Sequence, residues 1–324
     1  MDRRTLLRSA ALGTAAALSS HPALAQLGGE PTRIVFPFAA GGSGDAIARL
    51  IADQLRMSLK ETVIVENRTG AQGRIGVQDV KKAPPDGKTL LITPVAPMSI
   101  YQLVYKNLAY DPVADFEPLS QVATFDFALA VGPQVPAHNL KELVAWLKAN
   151  PKQGNYGTPG AGTLPHFFGV TFGKAVGVDL RHVGYRGSAA ALTDLMGGQI
   201  PIEVTTSSDL IKQHKAGTIR ILATSGAKRS PFVPEVPTFK EAGYDIVGEG
   251  WYGMFAPAKT PPDVVEKLSK AIAAAVQAPA VKDKLLAFGL VPTGTSSAEL
   301  GRIQKADTAL WAPAVKASGY TPQQ

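Results

Sequence analysis

The chain has 324 residues, of which 45% are hydrophobic and 18% charged, and it carries a net charge of +7 without a single cysteine. This length suits two globular domains, and the composition is unlike that of a disordered or membrane-embedded protein. The absence of cysteine excludes disulfides, thiol nucleophiles and thiolate metal sites. No run of lysine or arginine is long enough to follow a nucleic-acid backbone, so we expect no nucleic-acid partner.

The N-terminus predicts an export signal over residues 1–25. An arginine-charged head precedes an apolar stretch of small residues, and Ala23 and Ala25 form a cleavage pattern. The pair Arg3 and Arg4 approximates a twin-arginine signal, so the Tat and Sec routes both stay open. We expect cleavage directly after Ala25 and a mature protein in the periplasm.

The remaining chain predicts two series of strands and helices. Three β-rich segments at 32–38, 62–67 and 88–94 alternate with helical or polar connections, which is typical of a βαβαβ unit with a parallel sheet. A second alternating series follows, with segments at 127–133, 140–149, 154–160, 164 onward, 180–185, 188–196, 200–206 and 218–226. The pattern therefore predicts two α/β domains.

Local capping signals predict several helix ends. Asn139 precedes the amphipathic helix at 140–149, and Glu142 follows it three residues later, which is the pattern of a capping box. In the C-terminal part, Thr260 is expected to cap one helix and Gly289 to end the next. The residues alone do not assign this C-terminal part to either sheet.

The first candidate binding site is the turn GGSGD, residues 41–45, between the first strand and its helix. A dinucleotide fingerprint would need glycine where Ile47 stands, and a nucleophile elbow would need glycine in place of Asp45. What remains is a set of backbone N–H groups at a helix N-terminus, which suits a carboxylate. The alternative is a tight turn in which Ser43 or Asp45 only caps the helix.

The second candidate site is another glycine-rich turn at 157–163, before the helix that begins near 164. It again offers backbone donors and hydroxyl groups, and a third helix start follows Tyr185. Open α/β sheets bind ligands beyond the carboxyl ends of their strands. Two such turns in two domains therefore predict a small carboxylated ligand held in a cleft between them.

Side chains beyond the two turns give few further candidates. None of the five histidines forms a paired metal spacing, and His166 either contacts the ligand or packs on its own helix. Phe38 and Tyr185 flank the expected cleft and are the preferred aromatic candidates. Arg68 and Arg74 are interpreted as local surface pairs. We therefore expect no catalytic constellation, no metal and no cofactor.

Five segments together resemble one family nearly from end to end. They are FPFAAGGSGDAIARLIADQL, VENRTGAQGRIGVQDVKKAPPDGKTLLITP, NYGTPGAGTLPHF, HVGYRGSAAALTDLMGGQI and WYGMFAPAKTP. The chain resembles the Bug-type extracytoplasmic solute receptors, the substrate-binding proteins of the tripartite tricarboxylate transporters. The resemblance implies an α/β type II periplasmic-binding-protein fold, with two lobes of mostly parallel sheets joined by two crossing strands. Residues 120–131 and 245–255 are the candidates for these strands.

The resemblance also implies an organisation and a function. The signal peptide at 1–25 is followed by lobe 1 at 26–124, lobe 2 at 125–245 and a return to lobe 1 with C-terminal helices at 246–324. The implied protein is a monomer that captures a small carboxylate and delivers it to membrane transporter subunits, without catalysis. A periplasmic sensing module acting on a signalling partner and a secreted α/β hydrolase are the alternatives.

The implied site combines the turn after the first strand with the glycine loop of the second lobe. The expected ligand-binding residues are Phe38, Ala40, Gly41, Gly42, Ser43, Asp45, Thr158, Gly160, Ala161, Gly162, Thr163, His166, Tyr185 and Thr205. Many relatives carry an aspartate suited to an amino group where this chain has Thr205, which disfavours an amino-acid ligand. Aliphatic dicarboxylates, citrate-like acids and aromatic dicarboxylates such as terephthalate stay open.

Overall fold

A computed structural model of the protein describes residues 30–320, so the expected signal peptide lies outside the described residues. The first group of elements, lobe 1, contains a sheet in which β1 pairs in parallel with both β2 and β3. The elements in chain order are β1 Thr32–Phe36, α1 Ser43–Leu59, β2 Val63–Asn67, α2 Arg74–Lys81, β3 Thr89–Pro94 and, after a π-helical turn at Ala96–Ile100, α3 Tyr101–Val104. The predicted βαβαβ unit is confirmed.

Helix α1 follows directly from its apolar spacing. Ile47, Ile51 and Leu55 recur every four residues, lie on one face of the helix and are fully buried. This face packs against the sheet of lobe 1, so the N-terminus of α1 lies just beyond the carboxyl end of β1. The predicted binding turn connects the two at that edge.

A single long strand, β4 Phe116–Val131, carries the chain out of lobe 1. Its first half pairs antiparallel with β9 Glu249–Pro257, and its second half pairs antiparallel with β7 Ile202–Thr206 and β8 Arg220–Thr224. The candidate crossing segments at 120–131 and 245–255 therefore overlap β4 and β9, respectively. The prediction of lobes joined by crossing strands is confirmed, while the lobe boundaries at 124/125 and 245/246 stay predictions.

The second group of elements, lobe 2, continues the same sheet. Strand β5 pairs in parallel with β6 and with β7. The elements are α4 Leu140–Ala149, β5 Asn155–Thr158, α5 Leu164–Val176, β6 Arg181–Gly184, α6 Ser188–Met196, β7 Ile202–Thr206, α7 Ser207–Lys215 and β8 Arg220–Thr224. The strand order is β2-β1-β3-β9-β4-β7-β5-β6, with β8 and β10 also paired to β4.

The C-terminal helices, from α8 Pro262–Gln277 to α10 Ser297–Ser318, pack largely against elements of lobe 1. Ser269 on α8 donates its hydroxyl to the carbonyl of Leu119 on β4 over 2.7 Å. Trp311 on α10 also packs against Phe168 of lobe 2, so this last helix touches both lobes. The elements are α8 Pro262–Gln277, α9 Pro279–Ala287, β10 Val291–Pro292 and α10 Ser297–Ser318.

The capping predictions have two outcomes. The Asn139 side chain accepts from the Glu142 N–H over 2.9 Å, and the Glu142 carboxylate accepts from the His138 N–H, so the cap of α4 is confirmed. The cap at Thr260 is wrong by one residue. Pro261 holds the N-cap position of α8, because the Thr260 hydroxyl instead donates to the carbonyl of Pro257.

Across residues 30–320, none of the helices combines the length and the apolar character that a membrane crossing requires.

Candidate functional site

A cavity lies between the two lobes at the edge where the predicted turns meet. Lobe 1 contributes the turn after β1 and the end of β3, and lobe 2 contributes the starts of α5, α6 and α7. Three of the expected ligand-binding residues line it directly: Phe38, Gly42 and Thr163. The structure thus brings both glycine-rich turns to one cavity, as the sequence predicted.

Most of the cavity wall is apolar. Aromatic rings come from both sides, and Phe125 packs against Phe127 on β4 and against Tyr252 on β9, with ring centroids 5.3 Å and 4.9 Å apart. Phe36 and Phe38 add two further rings from lobe 1. Such a wall fits the carbon body of a ligand and lowers the local dielectric constant around any charge.

The turn after β1 has a tightly specified shape. Gly41 has a φ of +98°, which favours glycine. A Cβ atom on Gly44 would lie 2.4 Å from the ring of Phe36 and 2.8 Å from that of Tyr252, so a side chain does not fit there. The Ser43 hydroxyl lies 3.1 Å from the Tyr252 hydroxyl. The start of α1 is therefore pressed against the aromatic wall.

Asp45 closes this turn from behind rather than facing the cavity. Its carboxylate accepts hydrogen bonds from the Gly41 N–H at 3.2 Å, from Arg49 at 2.9 Å and from Asn67 at 3.0 Å. Burial opposes its ionisation, but these donors outweigh burial and lower the pKa of Asp45 below its usual value. The ionised side chain fixes the turn.

Contacts across the cleft join this turn to lobe 2. The Ser43 N–H donates to Asp209 Oδ1 over 2.7 Å, and the Ala39 N–H donates to the Arg186 carbonyl over 3.0 Å. Ser188 donates its hydroxyl to the same Asp209 carboxylate. Burial raises the pKa of Asp209, and the hydrogen bonds from Ser188 and Ser43 act in the opposite direction.

The sequence prediction missed Asp209 and Ser188. Asp209 lies in the first turn of α7, directly beyond the carboxyl end of β7, and it lines the cavity. An acidic residue in the first turn of a helix is ordinarily read as a cap for that same helix. The position of α7 at the edge of the cleft was the signal that would have identified Asp209 as a cavity residue.

The glycine loop of lobe 2 satisfies its polar groups internally. The Thr158 hydroxyl donates to the Gly160 carbonyl over 3.1 Å and lies 2.6 Å from His182 Nε2. The Thr163 hydroxyl donates to the same carbonyl over 2.7 Å. Gly162, with a φ of +73°, directs its N–H to His166 Nδ1 at 3.1 Å. The loop is therefore built before any ligand arrives.

Two histidines stabilise that loop by stacking. The rings of His166 and His182 lie 3.9 Å apart at their centroids, at an angle of 27°. Burial lowers the pKa of His166 to about 4, and burial together with the neighbouring His166 lowers the pKa of His182 to about 3. Both rings are neutral at pH 7. His166 therefore packs inside the loop, and its expected contact with the ligand stays a prediction.

Tyr185 and Thr205 are not among the residues that line this cavity. The Tyr185 hydroxyl donates to the Asp194 carboxylate over 2.7 Å. The Thr205 hydroxyl is buried and has no hydrogen-bond partner. On the same strand, Glu203 is fully buried with both oxygens unpartnered, and burial, with the charge of Asp209 added, raises its pKa well above the usual range. The ligand contacts proposed for Tyr185 and Thr205 stay predictions.

Known proteins similar to this chain are solute-binding receptors. The sequence matches the family described as tripartite tricarboxylate transporter family receptor over residues 47–320. The solved periplasmic binding protein BugD is 33% identical, with a TM-score of 0.86 over 90% of this chain and 99% of BugD. The likeness therefore extends to both sequence and fold.

Two further solved structures hold a ligand. Rpa4515 of Rhodopseudomonas palustris, solved with adipate, is 31% identical, with a TM-score of 0.87 over 90% of this chain and 98% of that one. MatC of the same organism, solved with bound malate, is 27% identical, with a TM-score of 0.83 over 88% of this chain and 98% of that one. Both ligands are dicarboxylates.

Proposed function

This chain belongs to the family of tripartite tricarboxylate transporter receptors, and on that premise we propose that it captures a small carboxylate in the periplasm and delivers it to a tripartite tricarboxylate-type membrane transporter. Binding takes place between the lobes, and closure of the lobes around the ligand distinguishes the ligand-bound receptor from the free receptor. The receptor acts without catalysis and without a cofactor.

The observation that carries this proposal is the cavity between the lobes, where helices α1 and α5 both begin. The N-terminus of a helix offers backbone N–H groups and a favourable dipole to an anion. Gly42 and Thr163, the N-cap residues of these helices, line the cavity, and neither caps its helix with a side-chain hydrogen bond. The likeness to receptors solved with adipate and malate supports a carboxylated ligand.

Direct contacts with the ligand are proposed for Phe38, Gly42 and Thr163. The ring of Phe38 covers the carbon body, while the backbone at the two glycine-rich turns approaches the polar end. Three other expected residues hold these turns in shape: Asp45 behind the first, and Thr158 with His166 inside the second. Binding to preformed loops keeps the entropy cost of capture low.

A thermal-shift screen of the mature protein tests the proposal. Mono-, di- and tricarboxylates and aromatic acids are compared with sugars and amines at equal concentration. An acid present at about a hundredfold excess over its dissociation constant stabilises the folded protein by about 2.7 kcal/mol. Stabilisation by a sugar or an amine, with none by any acid, would overturn carboxylate capture.

A further inference from the structure

The cavity has an unusual charge for an anion receptor. Among the described residues that line it, none is lysine, arginine or histidine. Asp209 is one of the residues that line it, together with Thr206 and Ser188. A carboxylate ligand must therefore rely on neutral donors while it shares the cavity with a negative side chain.

Asp209 already occupies one backbone donor at the start of α1. The Ser43 N–H donates to Asp209 Oδ1 over 2.7 Å, and the Ser188 hydroxyl donates to the same carboxylate. Oδ1 is also 3.6 Å from the point where a Cβ atom on Gly42 would stand. A side chain of lobe 2 thus caps the helix of lobe 1, in the place where a ligand carboxylate would accept the same hydrogen bonds.

A ligand with two carboxylates would meet this side chain at one end. Two negative groups a few ångströms apart repel each other strongly where burial reduces screening by water. The Ser43 N–H and the Ser188 hydroxyl, which could compensate a second carboxylate, are already bonded to Asp209. By contrast, a ligand with one carboxylate can direct it to the start of α5, at Thr163, and lay its carbon body against the aromatic wall.

We infer that Asp209 is a specificity-determining residue, which restricts this receptor to monocarboxylates with an apolar or aromatic body and excludes dicarboxylates. The inference rests on the proposed function, since it concerns the same cavity. It separates this chain from the receptors solved with adipate and malate, whose ligands carry two carboxylates.

The test uses pairs of acids that differ by one carboxylate: hexanoate with adipate, and benzoate with terephthalate. Dissociation constants are measured by titration calorimetry at pH 8 for the wild type and for Asp209→Asn. The amide keeps an oxygen that can accept from Ser43 but carries no charge. Asp283→Asn makes the same chemical change at an exposed position outside the cavity, and serves as the matched control.

In the wild type we expect the monocarboxylate of a bound pair to bind at least about tenfold more tightly than its dicarboxylate partner. Asp209→Asn should reduce this ratio by about tenfold or more, whereas Asp283→Asn should leave it unchanged. The wild-type ratio is a test by itself if Asp209→Asn does not fold.

Three results would overturn the inference in different ways. If the wild type binds the dicarboxylates as tightly as the monocarboxylates or more tightly, the inferred preference for monocarboxylates is wrong, but the proposed function as a carboxylate receptor is unaffected. An unchanged ratio in Asp209→Asn shows that the charge of Asp209 is not its cause. No binding of any of the four acids to either protein, while a sugar or an amine binds, removes this inference together with the proposed function.

Discussion

The two glycine-rich turns at the cavity look alike in sequence but are stabilised differently. The turn after β1 has donors that are satisfied from the other lobe, since Ser43 donates to Asp209 and Ala39 to Arg186. The loop at 157–163 satisfies its groups from within its own lobe, through Thr158, His182 and His166. Asp45 holds the first turn in shape, but two of its backbone donors find their partners only across the cleft, whereas the second loop needs no partner from the other lobe.

This difference indicates which side of the cavity responds to ligand binding. In a two-state receptor, a ligand shifts the population only through contacts that differ between the open and closed forms. Hydrogen bonds across the cleft exist only in the closed form, so substitutions in the first turn should act on closure and affinity. Substitutions in the second loop should act on the stability of the free protein.

The largest effect is expected for Gly42→Val. Gly42 has a φ of −88°, so valine fits its backbone, but a Cβ atom would lie only 2.7 Å from the Ser188 hydroxyl across the cleft. Either the Ser188 hydroxyl rotates away from Asp209 or the lobes stay further apart, and affinity for an acid that binds the wild type should fall by about a hundredfold. Calorimetry measures the affinity and small-angle scattering measures the compaction on binding.

The control for this change is Gly301→Ala in α10, where an added Cβ meets only Pro118 at an ordinary 3.4 Å. It should bind and compact like the wild type. If Gly42→Val also closes normally and keeps its affinity, the first turn is not the part of the site that senses closure.

Acid should destabilise the second loop before it affects the first turn. The pKa of His166 in the folded protein is about 4, below its unfolded value, so its stabilising contribution is complete above about pH 6.5 and is lost progressively towards pH 4. Lowering the pH from 7.5 to 5 should cost about 2 kcal/mol through His166. The pKa of Asp45 lies below its usual value of 3.8, so the stabilising contribution of its ionised carboxylate should be lost only at still lower pH.

Urea unfolding of the wild type and of His166→Gln across this pH range measures the effect. The variant should show a smaller loss of unfolding free energy between pH 7.5 and pH 5. His138→Gln, at an exposed histidine outside the loop, is the matched control and should follow the wild type. Parallel curves for all three proteins would contradict a neutral, buried His166.

Thr158→Val should destabilise the free protein by about 1–3 kcal/mol, because it leaves the Gly160 N–H and His182 Nε2 without their hydroxyl partner inside the loop. Chemical denaturation without ligand checks this value. Thr62→Val, at an exposed threonine before β2, should change stability by no more than about 0.5 kcal/mol. A loss of affinity in Thr158→Val at unchanged stability would instead assign the hydroxyl to the ligand.

The smallest effect is expected for Tyr185→Phe. Its hydroxyl donates to Asp194 over 2.7 Å at a half-buried position, so its removal should cost about 0.5–1.5 kcal/mol of unfolding free energy. Affinity should change little, since this hydroxyl is already bonded to Asp194. A tenfold loss of affinity without a change in stability, on the scale of about 1.4 kcal/mol, would return Tyr185 to the ligand contacts.

Local physical rules made much of the fold predictable from the sequence. The spacing of Ile47, Ile51 and Leu55 determines the buried face of α1, and Asn139 with Glu142 determines the start of α4. These signals act over three or four residues, within the reach of one helical turn. The failed cap at Thr260 shows their limit, because its hydroxyl had an equally close backbone partner in Pro257.

By itself, the sequence determined the α/β elements and the two glycine-rich turns, since each depends on hydrogen-bonding and apolar patterns between near neighbours. Only the tertiary structure decided how those turns are completed. Asp209 meets Ser43 across 166 positions of the chain, and His182 meets Thr158 across 24. Such contacts depend on how two lobes close and how neighbouring strands align, and no local pattern encodes that geometry.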